Sequence, residues 1–367
     1  MRRVLSSRHL RSRVLWVLVF SLAGLVAFDF AVFHSGFYTR YLNPDGTAGN
    51  LEDWLAWELQ RSKDDPNQIA LIGDSRMAVI PRLANESETG YSYGSLAVAG
   101  TSPRAWYYML RAADPLATRY RAIVIVIDTF DDTDTWEQMS NRELDLSYLA
   151  GRLELRDLLD FPASFSDPEL QRRAARGILF RGLLLQADVQ DFLANPLARL
   201  KYADEARRYG LDWHYTFVGS DASLDGLEVD WEHRKLHIPP DVPEGPIAGL
   251  QRFLVEPLPP QTGLRHKYRV QWLGKIYEHY RDSDTKLIFV RAARAPWIRP
   301  DLPPANPESA IRELAQHPNV YLLDEHLSDE FEMPELFHDE IHLNETGSRL
   351  FTEKVVDAVA EAMGPPL

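Results

Sequence analysis

The most apolar stretch of the chain lies close to its N-terminus. Val14 to Phe28 carries no charge, Asp29 interrupts it, and Phe30-Ala-Val-Phe33 completes 20 residues. About 20 apolar residues in a helix cross a hydrocarbon core roughly 30 Å thick, so the run predicts a transmembrane segment. A cleavable signal peptide is the competing reading. It would have a shorter apolar region and a small-x-small cleavage site, whereas Phe28, Asp29, Phe30 and Phe33 stand at the end of this one.

Further along, short apolar runs alternate with helical patterns. Gln68–Ile72, Ser95–Ala99, Ala122–Ile127, Lys286–Val290 and Asn319–Leu323 are apolar on both faces, as strands of a covered parallel sheet are. Pro103 after Ser102 marks a helix start. A last helix from about Thr346 to Met363 carries Leu350, Val355, Val359 and Ala362 at core spacing and stops at Gly364-Pro365. The fold class is therefore α/β, with a central parallel sheet between helices. A long insertion, about 136–265, separates the third and fourth strands. Asn141 to about Arg208 is helical in pattern, the stretch to Pro260 is Pro-rich and irregular, and a helix resumes over Tyr268–Tyr280. The expected organisation is a tip and anchor at 1–35, a juxtamembrane linker and helix at 36–66, and the α/β domain at 67–367.

Charge sharpens this division. Arg2, Arg3, Arg8, Arg11 and Arg13 precede the apolar run without a single acid, which by the positive-inside rule keeps the N-terminus cytoplasmic and exports the rest. The remaining 35 basic and 54 acidic groups leave a net of −19 on residues 14–367. So acidic a body repels a phosphate backbone, and nucleic acid is not expected as a partner. With no cysteine in the chain, thiolate metal sites and a cysteine nucleophile are excluded.

Two segments carry candidate chemistry. Ile72-Gly-Asp-Ser-Arg76 places a serine just after a buried strand and a tight turn, where backbone N–H groups can serve a nucleophile and its oxyanion. Phe337-His-Asp-Glu-Ile-His-Leu-Asn-Glu-Thr-Gly347 spaces Asp339 and His342 three apart. One turn then lets the carboxylate fix the imidazole tautomer and leave the other nitrogen to take a serine proton. His338 and His342, four apart, also fit two metal ligands, but the zinc-protease pattern needs Glu after the first His and Asp339 stands there. No metal or other cofactor is expected.

Together, Gly73-Asp-Ser75 after the first strand and Asp339-x-x-His-Leu-Asn-x-x-Gly347 before the last helix resemble the SGNH (GDSL-type) hydrolase superfamily. The resemblance spans the sheet core from about Ile69 to Met363 and leaves the anchor and the insertion outside. It implies a three-layer, flavodoxin-like fold with Ser75 as nucleophile, His342 as general base and Asp339 orienting it. Gly100, in Ala97-Val-Ala-Gly-Thr-Ser102, matches the block whose glycine amide joins the Ser75 amide in the oxyanion hole. One block departs: where the family has Gly-x-Asn-Asp, this chain has Ile127-Asp128-Thr129-Phe130-Asp131. An ionised carboxylate cannot donate to an oxyanion, so Thr129, Arg76 and Arg291 become candidates for a further donor, and Asp128 for a sugar hydroxyl.

The resemblance implies acyl-ester chemistry outside the membrane, by hydrolysis or by O-acyl transfer on an acylated envelope glycan. The anchor together with the late Asp-x-x-His is similar in architecture to exported proteins that assist teichoic-acid D-alanylation and polysaccharide O-acylation. A membrane-bound acyltransferase is then a partner to look for. The reading of another class is an inactive scaffold of the same fold, in which the absent Asn marks decay of the site.

Overall fold

Ala122–Ile127 forms the middle strand of a five-stranded parallel sheet in the computed structural model, which describes residues 7–61, 65–133, 141–240, 242, 244–260 and 262–366. In chain order the strands are β1 (Gln68–Gly73), β2 (Ser92–Ala97), β3 (Ala122–Ile127), β4 (Lys286–Arg291) and β5 (Val320–Leu322). Their spatial order is β2-β1-β3-β4-β5, with Gly73 opposite Ala97, Ile72 opposite Ile125 and Ile127 opposite Arg291. The chain crosses from one side of β1 to the other, and ligands of open α/β sheets bind beyond the strand ends at such a switch point. Every residue of β1 and β3 is buried, as expected of strands covered on both faces.

Four of the five strands fall where the apolar runs put them. β2 begins three residues earlier than expected, at Ser92, and ends before Val98. Its first three residues pair with β1, Gln68 opposite Ser92 and Ala70 opposite Gly94. Beside this pair the buried Glu58 accepts from the Ser95 amide (2.9 Å) and the Gln68 side chain (3.0 Å). The final helix runs Glu345–Met363, and Phe351, Val355, Val356, Val359 and Met363 are buried on it. Leu350, placed on the core face by spacing, is instead exposed, and Phe351 takes that position.

The chain forms two compact units, Met1–Glu52 with Leu146–Ala206 and Asp53–Asp145 with Arg207–Leu367. The first contains Val14–His34, 21 residues of mean hydropathy 2.2 and only 6% buried, a helix long and apolar enough to cross a membrane. Phe33, Tyr38, Leu42, Ala48, Ala150 and Leu185 make a small core of their own. The second unit holds the whole sheet. The Pro-rich stretch contributes Leu224, Leu227, Val242, Leu250, Leu254 and Val255 to the core around β1, β3 and β4. Arg2, Arg3 and the expected start of the insertion near 136 lie outside the described residues.

A buried ion pair ties the helices beside the sheet. Arg104 and Asp145 are both fully buried, 3.4 Å apart, and the Arg104 guanidinium lies over the rings of Tyr268 and Trp272. Ser102 donates to Asp145, and the Arg104 amide donates to the Tyr268 hydroxyl. Asp145→Ala strands a buried cation, so unfolding free energy in a denaturant titration is expected to fall by about 3–5 kcal/mol. Asp145→Leu with Arg104→Met, which removes both charges, should recover much of that loss.

Candidate active site

β1 ends at Gly73, and the chain turns at once. A side chain at Gly73 would bring its Cβ within 2.7 Å of Met77 Cγ, so glycine lets the buried Met77 side chain pack against the end of the strand. Asp74 is extended and caps the short turn Ser75–Met77, accepting from the Arg76 amide at 3.0 Å. The Arg76 guanidinium closes on the same carboxylate, Nε to Oδ1 at 3.0 Å and NH2 to Oδ2 at 2.8 Å. Ser75 is thereby left as the first residue of the turn with its side chain available to the strand-end face.

The partner arrives from 267 residues away. His342 Nε2 lies 2.7 Å from Ser75 Oγ, and His342 Nδ1 lies 2.7 Å from Asp339 Oδ2. The other Asp339 oxygen accepts from the amides of Ile341 (3.0 Å) and His342 (2.8 Å). With an ionised carboxylate facing Nδ1, that nitrogen carries the proton, and Nε2 presents a lone pair to the serine hydroxyl. Burial opposes the charge on Asp339, but the hydrogen bond and charge of His342 and the two amides outweigh it. The Asp339 pKa is held below the usual carboxylate range. Its stabilisation is present at neutral pH and is lost only as acid drives the pH down through that lowered value.

The loop bearing the histidine is bracketed at both ends. Phe337 and Leu343 form an antiparallel bridge, and the His338 amide donates to the His342 carbonyl at 3.1 Å. Asn344 caps the last helix through the Gly347 amide and donates its side-chain nitrogen to the Glu335 carbonyl. Gly347 packs against the same bracket, and an added Cβ would stand 2.5 Å from the Leu336 carbonyl oxygen and 3.0 Å from Leu343. Alanine there gains helix propensity of about 1 kcal/mol but overpacks backbone at a cost of about 1–3 kcal/mol. Gly347→Ala is expected to lower the thermal midpoint measurably, and an unchanged midpoint would contradict this packing.

His338 stacks on His342, with ring centroids 5.6 Å apart, and its Nε2 is 3.4 Å from Asp339 Oδ2. His338, Asp339 and His342 offer ligand atoms within 4.8 Å of one another, near enough to share a cation. In the arrangement described, both ring nitrogens of His342 already face Asp339 and Ser75.

The remaining residues singled out from sequence divide. Gly100 follows β2 with a φ of +71°, a left-handed conformation that favours glycine, and its carbonyl accepts from Arg142 at 2.7 Å. Next to it, Thr101 donates to the Gly73 carbonyl at 3.1 Å, tying this turn to the one that bears Ser75. Asp128, just past β3, takes both carboxylate oxygens to Arg265 NH2 at 2.6 Å and one to Arg269 NH2 at 3.1 Å. Burial opposes its ionisation, and Arg265, Arg269 and Arg76 overcome this, leaving the pKa far below the usual range. Thr129 accepts from the Asp131 amide. Arg291, expected near the site, is committed elsewhere. It is buried, gives its donors to Asp329, Glu332 and the carbonyls of Ala292 and Glu325, and forms an ion cluster with Arg294.

A small cavity of about 50 Å³ lies beside the serine turn. Asp74, Arg76, Thr101, Trp106, Asp128, Tyr268 and the arginines 265 and 269 line it. Arg265 and Arg269 are not among the residues singled out from sequence. The signal was present: Arg265, His266 and Arg269 lie on one side of a helix, and Asp128, Asp131 and Asp132 follow the third strand. Opposite charge in two strand-end segments marks a meeting point. The Arg269 pKa is lowered to about 10 by burial first and by its neighbour Arg265 second.

No family model matches the chain, and no curated protein matches it.

Proposed function

We propose that the chain is a membrane-tethered serine esterase or O-acyltransferase of the SGNH type. One observation carries the reading: Ser75 Oγ, His342 Nε2 and Asp339 Oδ2 form an unbroken hydrogen-bonded chain at the carboxyl end of β1, beside the topological switch point. The 2-1-3-4-5 strand order supports a flavodoxin-like three-layer fold. The Arg-rich N-terminus and the apolar helix support a cytoplasmic tip, a single span and an exported catalytic domain.

In this reading Ser75 Oγ attacks an ester carbonyl as its proton passes to His342 Nε2. The imidazolium, held by Asp339, then protonates the leaving alkoxide as the carbon–oxygen bond breaks. The Ser75 and Gly100 amides face the tetrahedral oxyanion. Water or a glycan hydroxyl next attacks the acyl-serine, giving its proton to His342, and Ser75 leaves with that proton restored. Hydrolysis and transfer differ only in this last acceptor. An acylated carbohydrate or another envelope ester is the substrate class, and a membrane-bound acyltransferase is a fitting partner for the transfer reading.

The full-length protein in detergent should bind one fluorophosphonate per chain at Ser75, and His342→Ala should abolish labelling. A folded protein that takes no label overturns the enzyme and favours an inactive scaffold. Turnover of an acetyl ester that rises only when a carbohydrate acceptor is added assigns transfer; turnover without it assigns hydrolysis.

A further inference from the structure

The charge inside the apolar run has a use of its own. Asp29 is 6% exposed and accepts from the backbone N–H of Arg181 at 3.1 Å and of Gly182 at 2.9 Å. Arg181 donates to the Phe33 carbonyl at 2.9 Å, and Gly182 approaches so closely that a Cβ would stand 2.8 Å from the Phe33 ring. The short helix Arg181–Leu184 is therefore bonded directly to the last turns of the apolar helix.

Length sets the depth at which this happens. Val14–His34 is about 31 Å long as a helix, roughly one hydrocarbon thickness. Asp29 sits about 7 Å inside its outer end. Whatever is hydrogen-bonded to Asp29 and Phe33 lies at the hydrocarbon boundary, not above the headgroups. On either side of Arg181 are Leu179, 42% exposed, and Leu183, 56% exposed. The next helix, Gln186–Ala194, is held almost as low. Asp188 accepts from the Tyr38 hydroxyl (2.7 Å) and the Asn43 amide (2.9 Å), and Phe192 packs on the rings of Tyr38 and Tyr41. Tyr38 follows His34 by four residues, a reach of at most about 14 Å. Leu193 (70% exposed) adjoins Phe192, and Leu197 (81%) lies four residues on.

We propose that Leu179, Leu183, Leu193 and Leu197 form a lipid-docking face, by which the first compact unit lies in the outer leaflet in addition to being anchored through it. An amphipathic surface at this level sinks its apolar side about 5–10 Å into the headgroup–acyl boundary. Phe30 and Phe37, at the exit of the span, are exposed as well. The occupant is the bilayer because the hydrogen bonds to Asp29 place the surface there, whatever chemistry Ser75 performs. The inference rests on the membrane span and not on the ester reading.

The chain has no cysteine, so single substitutions give unambiguous labels. Leu179→Cys, Leu183→Cys, Leu193→Cys and Leu197→Cys are each spin-labelled in the full-length protein in phosphatidylcholine–phosphatidylglycerol nanodiscs. Leu18→Cys, on the apolar run about 6 Å inside its N-terminal end, serves as the in-membrane reference. Relaxation by oxygen is expected to exceed relaxation by a nickel chelate severalfold at 179 and 183, and by less at 193 and 197. Nickel-dominated relaxation at 179 and 183, with Leu18→Cys protected, overturns the docking face and leaves the span intact. A water-exposed Leu18→Cys overturns span and docking together. Spin–spin broadening at 183 that appears only with two chains per disc assigns the face to a second copy and overturns the lipid.

Discussion

Ser75→Ala is expected to lower ester turnover by about 10⁴–10⁶ while leaving the fold and thermal midpoint nearly unchanged. The size follows from the hydrogen-bonded chain, because a nucleophile and its base act as one device. His342→Ala should cost about as much, and Ser75→Ala with His342→Ala no more than either alone. Asp339→Asn, which changes the tautomer preference rather than removing the base, should cost about 10⁴. Steady-state hydrolysis of a chromogenic acetyl ester measures all four, with circular dichroism as the check on folding. Additive losses would show that Ser75 and His342 do not share a step. Wild-type turnover in Ser75→Ala would move the chemistry to another nucleophile.

How much of this could be read from sequence follows from which signals are local. β1 and β3 are apolar on both faces, so their runs coincide with the strands to within a residue. β2 is not legible in that way, because its start, Ser92-Tyr-Gly94, is not an apolar run and is held in the sheet by pairing with β1. The His342 loop is compact in sequence: a spacing of three between Asp339 and His342 is enough to bring carboxylate and ring together. The contact between His342 and Ser75 is not local, and only the order of the strands brings it about.

Arg265 shows the opposite case. A helix start near Tyr268 leaves it in a loop, whereas the helix begins at Leu264, after a left-handed Gly263 with no side-chain cap. The Pro-rich stretch before it hides that start. The same stretch is irregular in sequence because its apolar residues follow no period, yet Leu224, Leu250 and Leu254 are fully buried. Non-periodic burial of that kind is set by the core it meets, not by its own pattern.

Arg265→Met is expected to lower turnover by about 10²–10³ with little change in KM, the usual cost of losing one oxyanion donor. Asp128 lies just past β3, in the segment Ile127-Asp-Thr-Phe-Asp131, which has no Asn. Held ionised by Arg265, Arg269 and Arg76, Asp128 has no proton to donate. Arg265 and Arg269 line the small cavity beside the serine turn, and Asp128 holds the Arg265 guanidinium there; in the proposed ester chemistry that guanidinium is the further donor. Removing Arg265 also leaves Asp128 less compensated beside a developing negative charge. Asp128→Asn in the Arg265→Met background should therefore recover turnover, since it removes the anion and supplies an amide donor. The direction separates this from a merely structural role, in which a second change to the cluster would lower activity again. The cluster should also survive mild acid, because the Asp128 pKa lies far below the usual carboxylate range and its stabilisation is lost only as pH falls through that value. An Arg265→Met protein with wild-type turnover would return Arg265 to the scaffold and leave the oxyanion to the Ser75 and Gly100 amides alone.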